Sequence, residues 1–493
     1  MEFLGNILES STGLIYKANQ KTNKNLRLLI NTVLYAILGI LWMLDRYLKF
    51  QRIGYIVAIL LVLTTVISIE KKIDLSFKQV NKVLLISVIL LGILYGLSSF
   101  TIGERTRLFH ALIFVFVLPV VWYCLSHRDN REFLFITASW GGVVSLFFLI
   151  IVSILYAPLS SGQYSAILLN PNGLSQAMIP IFFGIIYLLV YYQENPLFNI
   201  KKQRILLVFL LLVLGISAAY LIFTKSRTGL LSALIILFIT FIYRFVTLRK
   251  EKIKTVLRRC LSSIAAISLS IFLMTNLMIF LLSTVSYQLL LNDVHSKGYA
   301  YRFLMLNVHR FEEEDFLAIE QDEEVQDLAK NKSFQSEITA LMDRADQGKE
   351  SGEMVDSGRF EIWSNAWANL NLIGHKSSTK FHVTYNDSYT NNTHNMILNI
   401  GYFAGIPAMC VATVFMLAYL LTIAYNSISR LKKNKIDLDD YMLLVVGSTF
   451  FILAMISGVF LPIGSVHTFL AWQLVPLENK TQNKKEAAIS RDK

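Results

Sequence analysis

The sequence is poor in charge, proline and cysteine. Of its 493 residues only 16% are charged and 54% are hydrophobic, whereas an ordinary soluble domain has about 25% charged residues. This shortage excludes a typical soluble or disordered protein. The three cysteines, Cys124, Cys260 and Cys410, lie in or beside apolar segments without a C-x-x-C partner. The sequence therefore supports neither a disulfide framework nor a zinc site.

Long stretches contain no Asp, Glu, Lys or Arg, and each is near the roughly 20 residues that a helix needs to cross a bilayer core. They predict an all-α integral membrane protein of about twelve transmembrane helices. The predicted spans are 28–44, 53–69, 83–100, 108–126, 133–157, 173–192, 205–223, 228–243, 261–291, 396–429 and a last run, 441–477, that we divide at Leu461–Gly464 into two helices, the second short.

The remaining segments set the predicted topology: 1–27 and 478–493 are polar tails, and 292–395 is a large loop between spans nine and ten. No cleavable signal peptide is expected, because a full-length span follows the basic first segment. The tails and even-numbered loops hold 29 Lys and Arg, and the short odd-numbered loops hold 7. This bias predicts that both termini are cytoplasmic and that the large loop is extracytoplasmic. We attribute the net charge of +12 to these basic loops and expect no nucleic-acid partner.

The large loop has two parts. Residues 311–350 are acidic, including the run Glu312–Asp315. Consecutive carboxylates point in different directions around a helix, so we interpret this part as solvated helix surface and predict no metal site.

The second part, 356–395, predicts an amphipathic helix at the membrane surface, where tryptophan side chains lie at the level of the lipid headgroups. Such a helix would carry Arg359 to the mouth of a membrane-embedded site. Its cap would be Asp356 or Ser357, and one face would hold Phe360, Trp363, Trp367 and Leu370.

Arg227 and His394 lie where outer loops meet spans. Residues 224–227 form a whole connection, and two cations there are unusual for a short outer loop. Arg227 can extend to lipid phosphates, or it can bind a phosphorylated ligand with its planar fork. A lone histidine is more often structural than catalytic, but the position of His394 at the start of a span favours a catalytic role.

These segments together resemble the O-antigen ligase and polymerase superfamily. The resemblance covers about 165–475 and departs from the family at 372–376, where members often have a proline and Gly-x-Gly. The matching segments are SRTGLLSALIILF at 226–238, GRFEIWSNAW at 358–367, THNMILNIGYFAGIPA at 393–408 and Asn170-Pro171-Asn172-Gly173.

The resemblance implies a GT-C-like, metal-independent inverting glycosyltransferase with no cofactor, whose donor is a glycan on undecaprenyl diphosphate. Arg227 and Arg359 would stabilise the leaving diphosphate, and His394 would be the general base. Asn172, Asn395 and Trp363 would also contact substrate. A flippase and a chain-length regulator are the suggested protein partners.

Several functions stay open at this point. A polymerase of capsule, exopolysaccharide or O-antigen repeats is favoured, and an O-antigen ligase is the alternative. A lipid-linked oligosaccharide flippase would also have about twelve spans. It is less favoured because the sequence shows no internal repeat and almost no charge within its spans. A peptidoglycan glycan-strand polymerase shares a similar topology, but its motifs are not visible here.

The topology prediction is tested with single cysteines at Ser333 and Ser490 in a cysteine-free background. An impermeant maleimide applied to intact cells should label Ser333→Cys but not Ser490→Cys, because only the large loop is predicted to be outside. Labelling of the tail without the loop would reverse the orientation.

Overall fold

A computed structural model of the chain describes residues 2–44, 50–73, 80–157, 163–168, 170–196, 199–249, 253–286, 288–289, 359–383, 388–390, 392–432, 436–462 and 464–476, with 159, 335, 336 and 339. The acidic run Glu312–Asp315, the proposed caps Asp356 and Ser357, and the tail 478–493 lie outside these residues.

The described residues are almost entirely helical. In chain order the elements are α1 (Glu2–Lys21), α2 (Lys24–Met43), α3 (Phe50–Ile67), α4 (Lys82–Ile102), α5 (Arg105–Leu112), a π-helical turn (Ile113–Val117), α6 (Leu118–Cys124), α7 (Arg128–Tyr156), α8 (Pro171–Glu194), α9 (Ile200–Thr224), α10 (Arg227–Leu248), α11 (Ile253–Ile279), a second π-helical segment (Phe280–Val285), α12 (Arg359–Ala368), strands β1 (Phe381–Val383) and β2 (Ser388–Thr390), α13 (Met396–Ala404), α14 (Ile406–Lys432), α15 (Leu438–Ser457) and α16 (Val466–Gln473). The two strands pair antiparallel, with Phe381 opposite Thr390.

Within the described residues, ten helices are long and apolar enough to cross a membrane, counting α5 and α6 as one. The protein is therefore an all-α, multi-pass membrane protein. The predicted second span, 53–69, corresponds to α3, whose described apolar part, Gly54–Ile67, is shorter than the other ten. The number of crossings and the GT-C-like fold stay predictions.

The expected span 396–429 is not one helix. It breaks at Gly405 into the nine-residue α13 and the long α14. Gly405 has φ +91°, and a Cβ there would collide with the carbonyl of Leu372, so the loop after α12 packs into the break. Hydropathy misses this break because both helices are apolar. Gly405 followed by Pro407 is nevertheless a stop-and-start signal for helices.

The last apolar run also differs from two complete spans. α15 ends at Ser457, with Gly458 as its left-handed cap (φ +70°). α16 has only eight residues, and at about 1.5 Å per residue its roughly 12 Å cannot cross a 30 Å hydrocarbon core. It lies in the protein core, where Trp472 stacks on Trp122 at 6.1 Å.

Loops predicted to share a side of the membrane contact one another. At one end, which we call the basic end, Asn130 Oδ1 accepts hydrogen bonds from the backbone N–H groups of Glu70 and Lys71, both at 2.8 Å. At the other end, Ser377 Oγ donates to Glu104 Oε1 at 2.7 Å. We call this the cap end, because residues 359–395 cover it. The side of the membrane that each end faces stays a prediction.

A buried ion pair holds the basic end together. Arg131 of α7 donates through Nε and Nη2 to Asp439 of α15, at 2.8 and 2.6 Å. Its Nη1 donates to the carbonyls of Leu125 and Ser126. Both charged side chains are almost fully buried, so the loss of one partner leaves a buried charge without compensation.

We expect Asp439→Ala to destabilise the protein by about 3–5 kcal/mol, measured as a large fall in melting temperature in detergent. The matched control is Asp129→Ala at the same end. Asp129 is 44% exposed and lies 3.8 Å from His127, so its loss should cost about 1 kcal/mol or less. Equal effects of the two substitutions would show that the buried pair does not stabilise this end.

Candidate functional site

The N-termini of α8 and α10 meet at the cap end. Asn170 caps α8 by accepting a hydrogen bond from Gly173 N at 2.7 Å, and Ser226 caps α10 by accepting one from Gly229 N at 3.4 Å. Ser226 Oγ also donates to Asn172 Oδ1 at 3.0 Å, so the structure brings together two segments that are 54 residues apart. Two helix N-termini at one place favour the binding of an anion.

Arg227 is the first residue of α10 and is exposed. The preceding Lys225 has φ +49°, which makes the sharp turn from α9 into α10. α8 and α10 approach closely here, because a Cβ on Gly229 would lie 2.7 Å from Ser175 Cβ. Arg227 is therefore carried on a rigid junction, directly after Ser226, whose hydroxyl contacts Asn172.

His394 is held in the left-handed region at φ +52°, which histidine adopts more readily than most residues. Its N–H donates to Asn392 Oδ1 at 2.9 Å. Thr393 Oγ1 donates to the carbonyl of Asn395 at 2.8 Å, and Trp363 Nε1 donates to the carbonyl of Thr393 at 2.9 Å. The backbone on both sides of His394 is thus fixed, and Trp363 fixes it from α12.

Asn395 is the N-cap of α13. Its Oδ1 accepts from the N–H groups of Ile397 and Leu398, and its Nδ2 donates to the carbonyl of Met455 at 3.3 Å. The structure therefore gives Asn395, like Trp363, a protein partner. These hydrogen bonds give both residues a positioning role, and their predicted contact with substrate stays a prediction.

Arg359 lies close enough to His394 for its charge to act on the imidazole. Burial lowers the pKa of His394, and the positive charge of Arg359 lowers that pKa further. Both effects disfavour the imidazolium. The imidazole is therefore neutral at neutral pH, which is the form that accepts a proton.

The two clusters lie at the same level of the bundle. α10 and α15 pack antiparallel, with Thr240 Oγ1 2.7 Å from Tyr441 OH. From that contact Arg227 is about 20 Å away along α10, and Met455 is about 21 Å away along α15. Met455 holds Asn395. Arg227 lies at the cap end of α10. His394 lies beside Asn395, which binds the cap end of the adjacent α15.

α12 packs on the protein through a face other than its exposed aromatic one. Phe360 and Trp367 are 56% and 63% exposed, while Ala366 and Ile362 pack against the β-hairpin. Leu370, after the end of α12, packs against the same cluster. The location of the aromatic face at the membrane surface stays a prediction. The two exposed aromatic rings still fit a helix at the lipid headgroups.

Arg107 was not singled out from the sequence, yet it anchors the loop after α12. It is buried and donates to Ser98 Oγ at 2.8 Å and to the carbonyl of His375. Beside it, Glu104 Oε1 accepts from Ser377 N and Oγ at 2.5 and 2.7 Å. In the sequence, Arg107 shares one feature with Arg227: both are cations in a short loop that is predicted to be outside the membrane.

This anchored loop includes the segment 372–376, where the chain departs from the family pattern. Gly374 has φ +94°, and the ring of His375 stacks on that of Tyr402 at 4.5 Å. The turn is therefore built by one left-handed glycine without the expected proline.

In the part of the chain that the structure describes, one set of carboxylates is close enough to share a metal ion. Oxygens of Asp437, Asp439 and Asp440 lie within 4.8 Å of one another. They are at the basic end, far from His394, and arginines already bind them: Arg131 binds Asp439, and Arg430 contacts Asp437 and Asp440. We interpret them as structural. The predicted independence from metal stays a prediction.

No protein-family profile, curated protein or solved structure matches this chain. The residues of the site are therefore the only indication of function.

The titration of His394 tests the geometry without any activity assay. Diethyl pyrocarbonate reacts with neutral imidazole, and peptide mapping by mass spectrometry resolves His394 from the other seven histidines. Arg359→Gln removes a positive charge, so the pKa of His394 should rise and its modification should begin at higher pH. Lys380→Gln, which removes an exposed cation, should leave the curve unchanged. An unchanged curve for Arg359→Gln would separate Arg359 from the site.

Proposed function

We propose that the protein is a membrane polysaccharide polymerase that joins undecaprenyl-diphosphate-linked repeat units at the outer face of the cytoplasmic membrane. The observation that supports this most is that two pairs of residues, Arg227 with the nearby Asn172 and Arg359 with His394, lie at the same end of a membrane-spanning bundle. Cationic groups at helix N-termini and a neutral histidine at one end suit the transfer of a sugar away from a lipid diphosphate.

In this proposal Arg227 receives the diphosphate of the donor. The negative charge on the leaving group grows as the glycosidic bond breaks, and fixed donors aimed at it stabilise the transition state. The two helix N-termini beside Arg227 add partial positive charge without any rearrangement. The planar guanidinium supplies two parallel hydrogen bonds, which a lysine cannot.

His394 takes the proton of the acceptor hydroxyl. The acceptor oxygen forms a bond to the anomeric carbon, the bond from that carbon to the diphosphate oxygen breaks with both electrons, and the proton passes to the imidazole. Attack opposite the leaving group inverts the anomeric centre. Arg359, next to His394, keeps the imidazole neutral before reaction and faces the same anion. A ligase would use the same groups with a different acceptor.

The proposed roles of Arg227 in donor binding and of His394 in proton transfer are tested by measuring donor affinity and turnover separately for each variant. Expression and membrane insertion of each variant are verified first. Arg227→Lys should lose much of both, because a point charge replaces the bidentate fork. His394→Asn should bind donor almost normally and turn over about a hundredfold or more slowly, as for loss of a general base. Asparagine is chosen because it also tolerates the left-handed backbone of His394.

Two matched controls come from the same end of the molecule. Arg105→Lys changes another exposed arginine at the first position of a helix, α5, and His382→Asn changes a histidine of the β-hairpin. Both should retain full activity. Full turnover in His394→Asn would exclude it as the base. Normal donor binding in Arg227→Lys and in Arg227→Ala would leave Arg227 as a residue that extends to lipid.

A further inference from the structure

A cavity of about 150 Å³ opens beside the N-terminus of α8. Its walls come from α2, from α8 and from the turn before α16, and they include Trp42, Asn170, Gln176 and Ser465. This volume has room for several water molecules. That is the scale of one sugar ring and far less than a polyprenyl chain needs.

Two side-chain amides at this cavity have hydrogen-bonding groups without a partner among the residues that the structure describes. Gln176 is half-buried in a membrane-spanning helix, and its side chain makes no hydrogen bond to any residue that the structure describes. Asn170 uses Oδ1 to cap α8, and its Nδ2 likewise makes no hydrogen bond among the described residues. A polar side chain in a membrane helix is costly unless it is satisfied, and such residues mark ligand paths.

The lining suits a carbohydrate. A sugar ring has an apolar face of C–H groups and an edge of hydroxyls that both donate and accept hydrogen bonds. The indole of Trp42 offers an aromatic surface to the first. The amides of Gln176 and Asn170 offer donors and an acceptor to the second. A few polar groups in a mostly apolar pocket is the usual composition of a small-molecule site.

We propose that this cavity binds the first sugar of the lipid-linked donor, the one bonded to the diphosphate. The inference rests on the proposed function and adds the subsite that would recognise the sugar. Its position carries the argument: Asn170 and Gly173 border the cavity and flank Asn172, whose side chain contacts Ser226 beside Arg227. A sugar here is thus adjacent to a diphosphate held at Arg227.

The test compares two probes: the lipid-linked glycan extracted from the cells that make this protein, and undecaprenyl diphosphate without sugar. Gln176→Met removes the amide at nearly constant volume. It should weaken binding of the glycan-bearing lipid about tenfold, as for one or two lost hydrogen bonds, and leave binding of undecaprenyl diphosphate unchanged. Ala177→Leu, which fills the cavity from its wall, should have the same selective effect.

Asn276→Met is the matched control, because Asn276 is an amide on the exposed face of α11 that bonds the carbonyl of Phe272 in its own helix. It should change neither affinity. If Gln176→Met weakens the binding of both probes equally, or of neither, the sugar subsite is wrong.

Arg227→Ala separates this failure from that of the proposed function. One outcome is that Arg227→Ala weakens the binding of both probes while Gln176→Met and Ala177→Leu weaken the binding of neither. That result would support the diphosphate site and exclude the sugar subsite. If the unchanged protein binds neither probe, the proposed function fails and the subsite with it.

Discussion

The need to satisfy every polar backbone group away from water governs this structure. A bilayer core offers no hydrogen-bond partners, so only helices cross it, and irregular chain is tolerated at depth only where protein surrounds it. α16 shows the second case: Trp472 Nε1 donates to the carbonyl of Phe460, and Trp122 Nε1 donates to the carbonyl of Trp472, both at 2.5 Å. Gln473 joins Tyr35 and two threonines of α3. The short helix and the turn before it can therefore replace a full crossing.

The same constraint explains why the candidate site lies where helices begin. Inside a span nearly every backbone donor is already used, whereas the first turn of a helix leaves free N–H groups that need caps. The residues that carry the family resemblance are largely these caps. Asn170, Ser226 and Asn395 cap α8, α10 and α13. Each cap fixes the start of a helix, and the two residues proposed to act on substrate, Arg227 and His394, directly follow or precede one of them. Architecture and chemistry are thus encoded in adjacent positions.

The sequence predicted the helices well and their interruptions poorly. Uncharged runs locate α2, α4 and α7–α10, because a charged side chain in lipid is costly and spans therefore exclude charged residues. This exclusion is visible in the composition of each segment. Composition does not report depth, so it could not distinguish the buried α16 from a crossing or detect the break at Gly405. For the site, the sequence motifs included both Asn172 and Ser226, and the structure shows that these two residues contact each other beside Arg227. The roles of Trp363, Asn395 and Arg107 depend on carbonyls far away in the chain, and those partners exist only after folding.

In the proposed mechanism, the electrostatics of the site would link donor binding to proton transfer. Before the donor binds, Arg359 lowers the pKa of His394, which keeps the imidazole neutral but makes it a weaker base. A diphosphate at the arginines brings negative charge that offsets this effect, so the pKa of His394 rises as the donor binds. The base is then strongest when a donor is present to react, and the imidazolium formed by proton transfer faces the departing diphosphate, which stabilises it. In this proposal Arg359 keeps the imidazole neutral while the site is empty, and the bound diphosphate makes it a stronger base.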